Sequence, residues 1–183
     1  MRVIAGKARS LQLKAPAGMD TRPTTDRIKE TLFNMIQYEV PQSVFVDLFS
    51  GSGGIGIEAL SRGAAHAYFI ENGKEALACI KDNLTFTKMM QDATIIKGDV
   101  LSGLSQIHEK EVGIIFADPP YALGIEEALF AELQRMPYVT EDTIIVLEAE
   151  IHHSFDFLDE LGFEVYKEKN YKTNKHLFIK KRA

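Results

Sequence analysis

The stretch VFVDLFSGSGGIGIEA, residues 44–59, decides the fold. Four of its first five residues are apolar and two are β-branched, which suits a buried strand. A turn of Ser and Gly follows, and residues 55–60 continue with helix formers and an apolar face. Strand, glycine turn and helix in succession let a chain pass close beneath a ligand and aim backbone N–H groups at it. Asp47 lies inside the apolar run. A carboxylate buried there needs donors, and the amides of the turn can supply them.

Outward from this unit the chain alternates between the two periodicities. Short apolar runs at 67–70, 94–97, 112–117 and 143–147 read as strands. Segments 74–84, 101–107, 125–133 and 155–161 read as helices, the last ended by Gly162. This alternation predicts an α/β fold, a mostly parallel sheet with helices on both faces. The last two strands, 163–166 and 176–179, are joined by a linker and should pair antiparallel at the sheet edge. At the start, 2–6 and 10–14 suggest a small hairpin turning at Lys7 to Arg9. A helix then follows a loop, capped by Thr24 or Thr25, with Asp26 in its first turn and Ile28, Leu32, Phe33 and Ile36 as its core stripe.

The 183 residues are expected to form one domain, with 1–37 as a hairpin-and-helix extension and 43–183 as the core. The lone Cys79 excludes an intramolecular disulfide, and the five scattered histidines form no cluster, so no metal is expected. No run approaches 18 apolar residues and no signal peptide opens the chain, so a soluble, cytoplasmic setting is expected. The net charge of −5 is unevenly spread. Residues 1–29 hold seven Lys or Arg against Asp20 and Asp26, and residues 167–183 hold seven against Glu168. The middle of the chain carries 23 acidic and 7 basic residues. Such segregation can place basic patches for a polyanion on an acidic body.

Residues 51–56, GSGGIG, match the spacing of nucleotide-binding turns. The turn lacks the Gly-Lys-Ser/Thr ending of a P-loop, which argues against ATP or GTP bound that way. NAD or FAD fits in form, because Glu71 lies 20 residues after Gly51 at the end of the second strand. S-adenosylmethionine (SAM) offers the same ribose without a pyrophosphate, and Asp47 favours it, since an acid beside a pyrophosphate would repel it. Open α/β sheets bind ligands at the carboxyl ends of their strands, so Asp47, Glu71, Asp99 and Asp118 share one rim.

The sharpest local signal is DPPY, residues 118–121, directly after a buried strand. Two prolines fix φ twice and hold the preceding residues extended. An inserted amine can donate one hydrogen to Asp118 and one to the Pro119 carbonyl, and Tyr121 offers a face for a planar base. An ordinary Asp, with a pKa of ~3.9, is a weak base at neutral pH, so orientation is the role expected of Asp118.

These motifs, with Asp47 ahead of Ser50-Gly-Ser-Gly53, resemble the Rossmann-like SAM-dependent N-methyltransferases. More narrowly, MRVIAGKAR at 1–9, TRPTTDRIKETLFN at 21–34 and DLFSGSG at 47–53 resemble the RsmD family, which methylates N2 of guanine-966 in bacterial 16S ribosomal RNA. The resemblance covers essentially the whole chain. It implies a seven-stranded sheet, an N-terminal extension, SAM as cofactor without a metal, and 16S rRNA in an assembling or assembled 30S subunit as partner of a monomer. Carried onto this chain, it places SAM at Asp47, Phe49, Gly51, Ser52 and Gly53, its ribose at Glu71 and its adenine end at Asn72, Asp99 and Val100. It places the guanine at Asp118, Pro119, Pro120 and Tyr121. Arg2, Lys7, Arg9, Arg22, Thr24, Arg27 and Lys29 are the expected RNA contacts, with Arg22, Arg27 and Lys29 facing outward. Family members tend to carry Tyr-Gly-x-Thr before the last strand; residues 171–174 here read Tyr-Lys-Thr-Asn, so the edge hairpin should turn differently. A DNA adenine or protein glutamine N-methyltransferase would use a similar tetrapeptide, but 183 residues leave no room for a target-recognition domain. A non-catalytic RNA-binding module would need no pocket at 47–53.

Overall fold

The computed structural model describes residues 1–17 and 25–183. Arg22 and Thr24 of the expected RNA contacts lie outside the described residues. Helix α1 (Asp26–Met35) precedes five βα units: β1 (Val44–Leu48), α2 (Gly54–Ser61), β2 (His66–Glu71), α3 (Lys74–Phe86), β3 (Ala93–Lys97), α4 (Val100–Leu104), β4 (Ile114–Ala117), α5 (Glu126–Arg135), β5 (Ile144–Glu150) and α6 (Phe157–Glu160). The hairpin β6 (Phe163–Asn170) and β7 (Asn174–Lys181) follows. Among the described residues these strands form one seven-stranded sheet in the order β3-β2-β1-β4-β5-β7-β6, with β1 to β5 parallel and β7 antiparallel to both of its neighbours. The expected α/β sheet and edge hairpin are thus present.

Side-chain alternation divides the core between the two faces. Phe45, Phe69, Ile114 and Val146 pack with Leu32 and Phe33 of α1, Ile57 and Leu60 of α2, and Ile80 and Leu84 of α3. Val46, Leu48, Ile70, Ile115 and Leu147 pack on the other face with Leu104 of α4, Phe130 and Leu133 of α5, and Leu158 of α6. Thr25 caps α1, its hydroxyl accepting from the Ile28 amide at 3.3 Å. No helix among the described residues is long and apolar enough to cross a membrane.

The structure lengthens the edge hairpin. Its strands were expected to span 163–166 and 176–179, yet β6 and β7 take in nearly all of the intervening residues and leave only 171–173 as the turn. The charged run Lys167 to Asn170 reads as linker because β6 is exposed along nearly its whole length, as suits an edge strand. A bulge between Val165 and Lys167 interrupts its register.

The N-terminal legs are joined by Val3 N–H to Leu11 O, Ser10 N–H to Val3 O and Leu13 N–H to Met1 O, with one antiparallel bridge, Arg2 to Gln12. The bend between them is turned toward α2. Lys7 N–H donates to Ser61 O (2.9 Å), and Ala8 N–H donates to Ser61 Oγ (3.0 Å). Gly6 has φ of +82°, and a Cβ there would lie 1.8 Å from Ser61 O, so the close approach requires glycine. Val3, Ala8 and Leu13 enter the α1–α3 core.

Glu58 anchors this segment from inside α2. Its carboxylate accepts the Ile4 and Ala5 amides (2.8 and 3.1 Å) and Arg62 Nε (2.8 Å), with Lys29 Nζ at 3.6 Å. Lys29 also donates to Arg2 O at 2.5 Å and is fully buried. This corrects the expectation that Lys29 faces outward: its ammonium is committed to the interior and cannot reach RNA. Burial lowers its pKa, opposed chiefly by the charge of Glu58. Truncating one member of a buried ion pair leaves the other uncompensated, at ~3–5 kcal/mol. Glu58→Ala should therefore lower unfolding free energy by about that much in urea titrations; a loss below ~1 kcal/mol would contradict the anchoring role.

Candidate active site

The sheet order reverses between β1 and β4, and at the carboxyl ends of these strands opens a cleft of about 540 Å³. Asp47, Phe49, Gly51, Ser52, Glu71, Asn72, Asp99, Val100, Asp118 and Pro120 all line it. Gly53, Pro119 and Tyr121 are not in its wall. Gly53 is the N-cap of α2, Pro119 is buried, and Tyr121 is 47% exposed.

Two carboxylates hold the glycine turn. At the end of β2, Glu71 Oε2 accepts the Gly51 amide (2.7 Å), and Oε1 accepts the Asn72 and Gly73 amides (3.0 and 2.8 Å). A carboxylate offers about four acceptor sites, so Oε2 keeps room for a hydroxyl donor. In β1, the buried Asp47 accepts the Gly56 amide at 3.0 Å. A Cβ on Gly56 would lie 2.4 Å from the Phe69 ring, so glycine lets α2 come down on β2 and bring that amide to Asp47. Burial pushes the Asp47 carboxyl up to about 8, with the Gly56 bond opposing and the charges of Glu71 and Asp118 adding to it. Phe49 has φ of +58°, an uncommon conformation for a non-glycine residue, at the mouth of the turn.

Asp99 caps α4: Oδ1 accepts the Ser102 amide at 3.0 Å and Oδ2 bonds to Ser102 Oγ. These bonds hold its carboxyl below its ordinary pKa. At the exit of β4, burial and then the charge of Glu148 push Asp118 up to about 7. The weak base expected from an ordinary Asp is, in this environment, able to take a proton near neutral pH. Tyr121 opens a short 3₁₀ turn that Gly124 ends in a left-handed conformation.

Sequence reasoning missed part of the wall. Met1, Ala15 and Pro16 of the N-terminal segment line the cleft, with Phe116, Leu123 and Ile125. A Cβ at Gly54 would lie 2.3 Å from Met1 Sδ, so the first residue packs on the glycine turn itself. Nothing in the spacing of residues 1–16 signals this; the doubled glycine at 53–54 was the available hint of a close neighbour. Of the basic residues, Arg2 and Lys7 are exposed and paired with Asp26 (3.1 Å) and Asp92 (3.6 Å). Arg9 and Arg27 are exposed. Among the described residues, no group of three or more His, Cys, Asp or Glu is placed to hold a metal ion.

A model of the family described as Conserved hypothetical protein 95 matches residues 1–180. The chain belongs to this family, the RsmD family. It is 41% identical over 150 residues to the Bacillus subtilis (strain 168) protein named "Putative rRNA methyltransferase YlbH", covering 81% of this chain and 82% of that one. It is 33% identical over 153 residues to "Ribosomal RNA small subunit methyltransferase D" of Escherichia coli (strain K12), covering 84% and 76%. The solved structure named "Putative methyltransferase yhhF from Escherichia coli" superposes with a TM-score of 0.84 at 29% identity, over 100% of this chain and 98% of that one. The RsmD-family chain thus has a methyltransferase fold, which implies SAM as methyl donor. Its residues fit that group: Glu71 has acceptor room for ribose, Ile70 and Val100 supply apolar walls, and Asp47 lines the same cleft.

Asp47→Asn keeps an acceptor for Gly56 and removes the charge. Because the folded carboxyl titrates at about 8 and the unfolded one near 3.8, Asp47's contribution to stability is fully present below about pH 3.8 and is lost as pH rises to about 8. Without SAM, the melting temperature of Asp47→Asn minus that of the parent should widen by at least ~3 °C between those limits and level off above them, since 1 kcal/mol moves the midpoint ~2–4 °C. A constant difference across this range would contradict a buried, protonated Asp47.

Proposed function

We propose that this chain transfers a methyl group from SAM to the exocyclic N2 amine of a guanine, of the G966 type, in 16S ribosomal RNA of the small subunit. The observation that carries this reading is that the Asp118 loop and the Glu71-held glycine turn open onto one cleft. The names of its relatives, methyltransferases of rRNA, support the substrate class.

SAM, when bound, supplies a methyl carbon activated by its sulfonium, so the protein's task is positioning and electrostatics. Glu71 accepts a ribose hydroxyl at the acceptor site left on Oε2, and Asp99, which keeps lone pairs beyond its bonds to Ser102, accepts from the adenine amine beside Asn72 and Val100. Phe49, Gly51 and Ser52 shape the floor, and Gly53 supports it from the N-cap of α2. Asp47 faces the cationic end. Asp118 and the Pro119 carbonyl accept the two hydrogens of the guanine amine, which is a poor nucleophile because its lone pair is delocalised into the ring. These bonds favour a tetrahedral nitrogen with its lone pair aimed into the cleft, and Asp118 takes the proton that leaves. Pro120 stiffens the loop, and Tyr121 stacks on the base, a contact worth ~1–3 kcal/mol. The base is flipped out or presented unpaired. Arg2, Lys7, Arg9, Arg22, Thr24 and Arg27 grip phosphates, which position the RNA without specifying sequence. The protein works as a cytoplasmic monomer on an assembling or assembled 30S particle, with residues 1–37 contributing to RNA binding and 43–183 to catalysis.

Single-turnover transfer from labelled SAM to unmodified 16S rRNA or 30S particles tests the assignment, with SAM affinity measured by calorimetry in parallel. Asp118→Ala should slow transfer ~10²–10³-fold with SAM affinity unchanged, as when one electrostatic partner of the transition state is removed. Tyr121→Ala should be severe and Tyr121→Phe mild, since the phenyl ring still stacks. Parental rates for Asp118→Ala, or a loss explained by failure to bind SAM, would overturn the reading.

A further inference from the structure

The function proposed above draws on the basic residues of the N-terminal segment and leaves the second basic stretch of the chain, residues 167–183, unused. The sheet puts that stretch beside the cleft. Ala117, the last residue of β4, is in register with Leu147 on β5, and β5 runs on to Glu150, opposite Asn174 at the start of β7. That extension from Leu147 to Glu150, at ~3.3 Å per residue, lifts the hairpin turn about 10 Å beyond the level where the Asp118 loop begins. The turn is tied there: Tyr171 N–H donates to Asn174 O (2.8 Å) and Ile151 N–H to Thr173 O (3.2 Å). In the sheet order, the Asp118 loop stands between the N-terminal segment, which is bonded to α2 and α3, and this hairpin beyond β5.

The charges of the hairpin are unevenly matched. Glu164 and Glu168, the acids of β6, face Arg182 at 4.0 Å and Lys175 at 3.8 Å. Arg182 also pairs with Asp159, and Lys181 donates to the carbonyls of Gln134 and Val139. Lys167 and Lys180 hold their ammonium groups near the rings of Phe178 (6.0 Å) and Tyr166 (5.6 Å). Lys169 and Lys172 are exposed, and among the described residues neither has an ion-pair partner. The acids set against these four lysines are Glu150, exposed at the end of β5, and Glu39 after α1, whose charge reaches Tyr166. Glu148 is buried, with its two oxygens bonded to Asn174 and His176. The loop after β5 adds His152 and His153, both exposed, and no acid before Asp156. Lys167 and Lys169 stand opposite Phe178 and His176, on the face of the sheet that α1 covers. That face also carries the exposed Arg27, on a helix whose first residue, Asp26, pairs with Arg2 next to Met1 of the cleft wall.

We propose that the tip of the β6–β7 hairpin, through Lys167, Lys169 and Lys172, is a second phosphate-binding surface for the substrate RNA, holding the strand on the far side of the Asp118 loop from the N-terminal segment. The proposal rests on the reading that the substrate is RNA. Withdrawing a base from its stack costs free energy, and gripping the backbone on both sides of the loop holds the target at the cleft. Such contacts position the strand and carry no sequence information.

The test replaces Lys169 and Lys172 by Gln, singly and together, and measures affinity for unmodified 16S rRNA and 30S particles across a salt series. Each lysine removed should flatten the slope of log affinity against log salt by roughly 1, and the pair should weaken binding about tenfold at about 0.1 M salt. The RNA concentration giving half-maximal transfer should rise by the same factor, with the parental rate regained at saturating RNA and SAM affinity unchanged. Lys110→Gln, an equal loss of charge before β4 at the other end of the sheet, should change none of these. With Lys172→p-benzoylphenylalanine, irradiation of the 30S complex should crosslink the hairpin to 16S rRNA. A parental slope and affinity in the double variant overturns the hairpin surface alone, as does an equal loss in Lys110→Gln. A crosslink to a ribosomal protein instead of rRNA overturns RNA as the occupant. A parent that binds neither 16S rRNA nor 30S particles overturns the substrate reading, and the proposal with it.

Discussion

The bond from the Gly51 amide to Glu71 Oε2, 2.7 Å long, is the constraint on which the site depends. A parallel sheet leaves its strand ends as loops with unpaired amides, and those amides need acceptors wherever they are withdrawn from water. Glu71 satisfies three of them at once and so fixes the tip of β2 against the loop after β1. Asp47 does the same from beneath, through Gly56, and pins the first turn of α2. The glycine turn is thus shaped before any ligand arrives, by two acids that line the cleft.

The second organising group is the carboxylate of Glu58, which draws the N-terminal segment onto α2 and receives the buried Lys29. One consequence is that residues 1–16 do not form a separate appendage. Met1, Ala15 and Pro16 wall the cleft while Arg2, Lys7 and Arg9 remain on the surface nearby in sequence. On the proposed function, the element that grips RNA also closes the cofactor cleft, so RNA and SAM share a structural intermediary.

Much of this was legible in the sequence because its signals are local. The 44–59 unit, the rim position of Glu71 and Asp118, and the alternation of strands and helices all follow from periodicity and turn chemistry over a few residues. Three features were not legible, each for a long-range reason. Lys29 reads as a surface cation because its partner Glu58 lies 29 residues away on another helix. The outer half of β6 reads as linker because an edge strand exposes charged side chains while its backbone pairs with β7. The ionisation of Asp118 depends on burial and on Glu148, a neighbour only across the sheet, so an ordinary pKa understates what it can do.

The central claim is that this cleft methylates a guanine amine of small-subunit rRNA. It is tested most directly by incubating the protein and SAM with unmodified 16S rRNA and with 30S particles, then mapping the modified nucleotide by mass spectrometry of nuclease fragments. The account predicts a single added methyl on N2 of one guanine, at the position corresponding to G966. A methyl on adenine, on another guanine position, or on a ribosomal protein would contradict it.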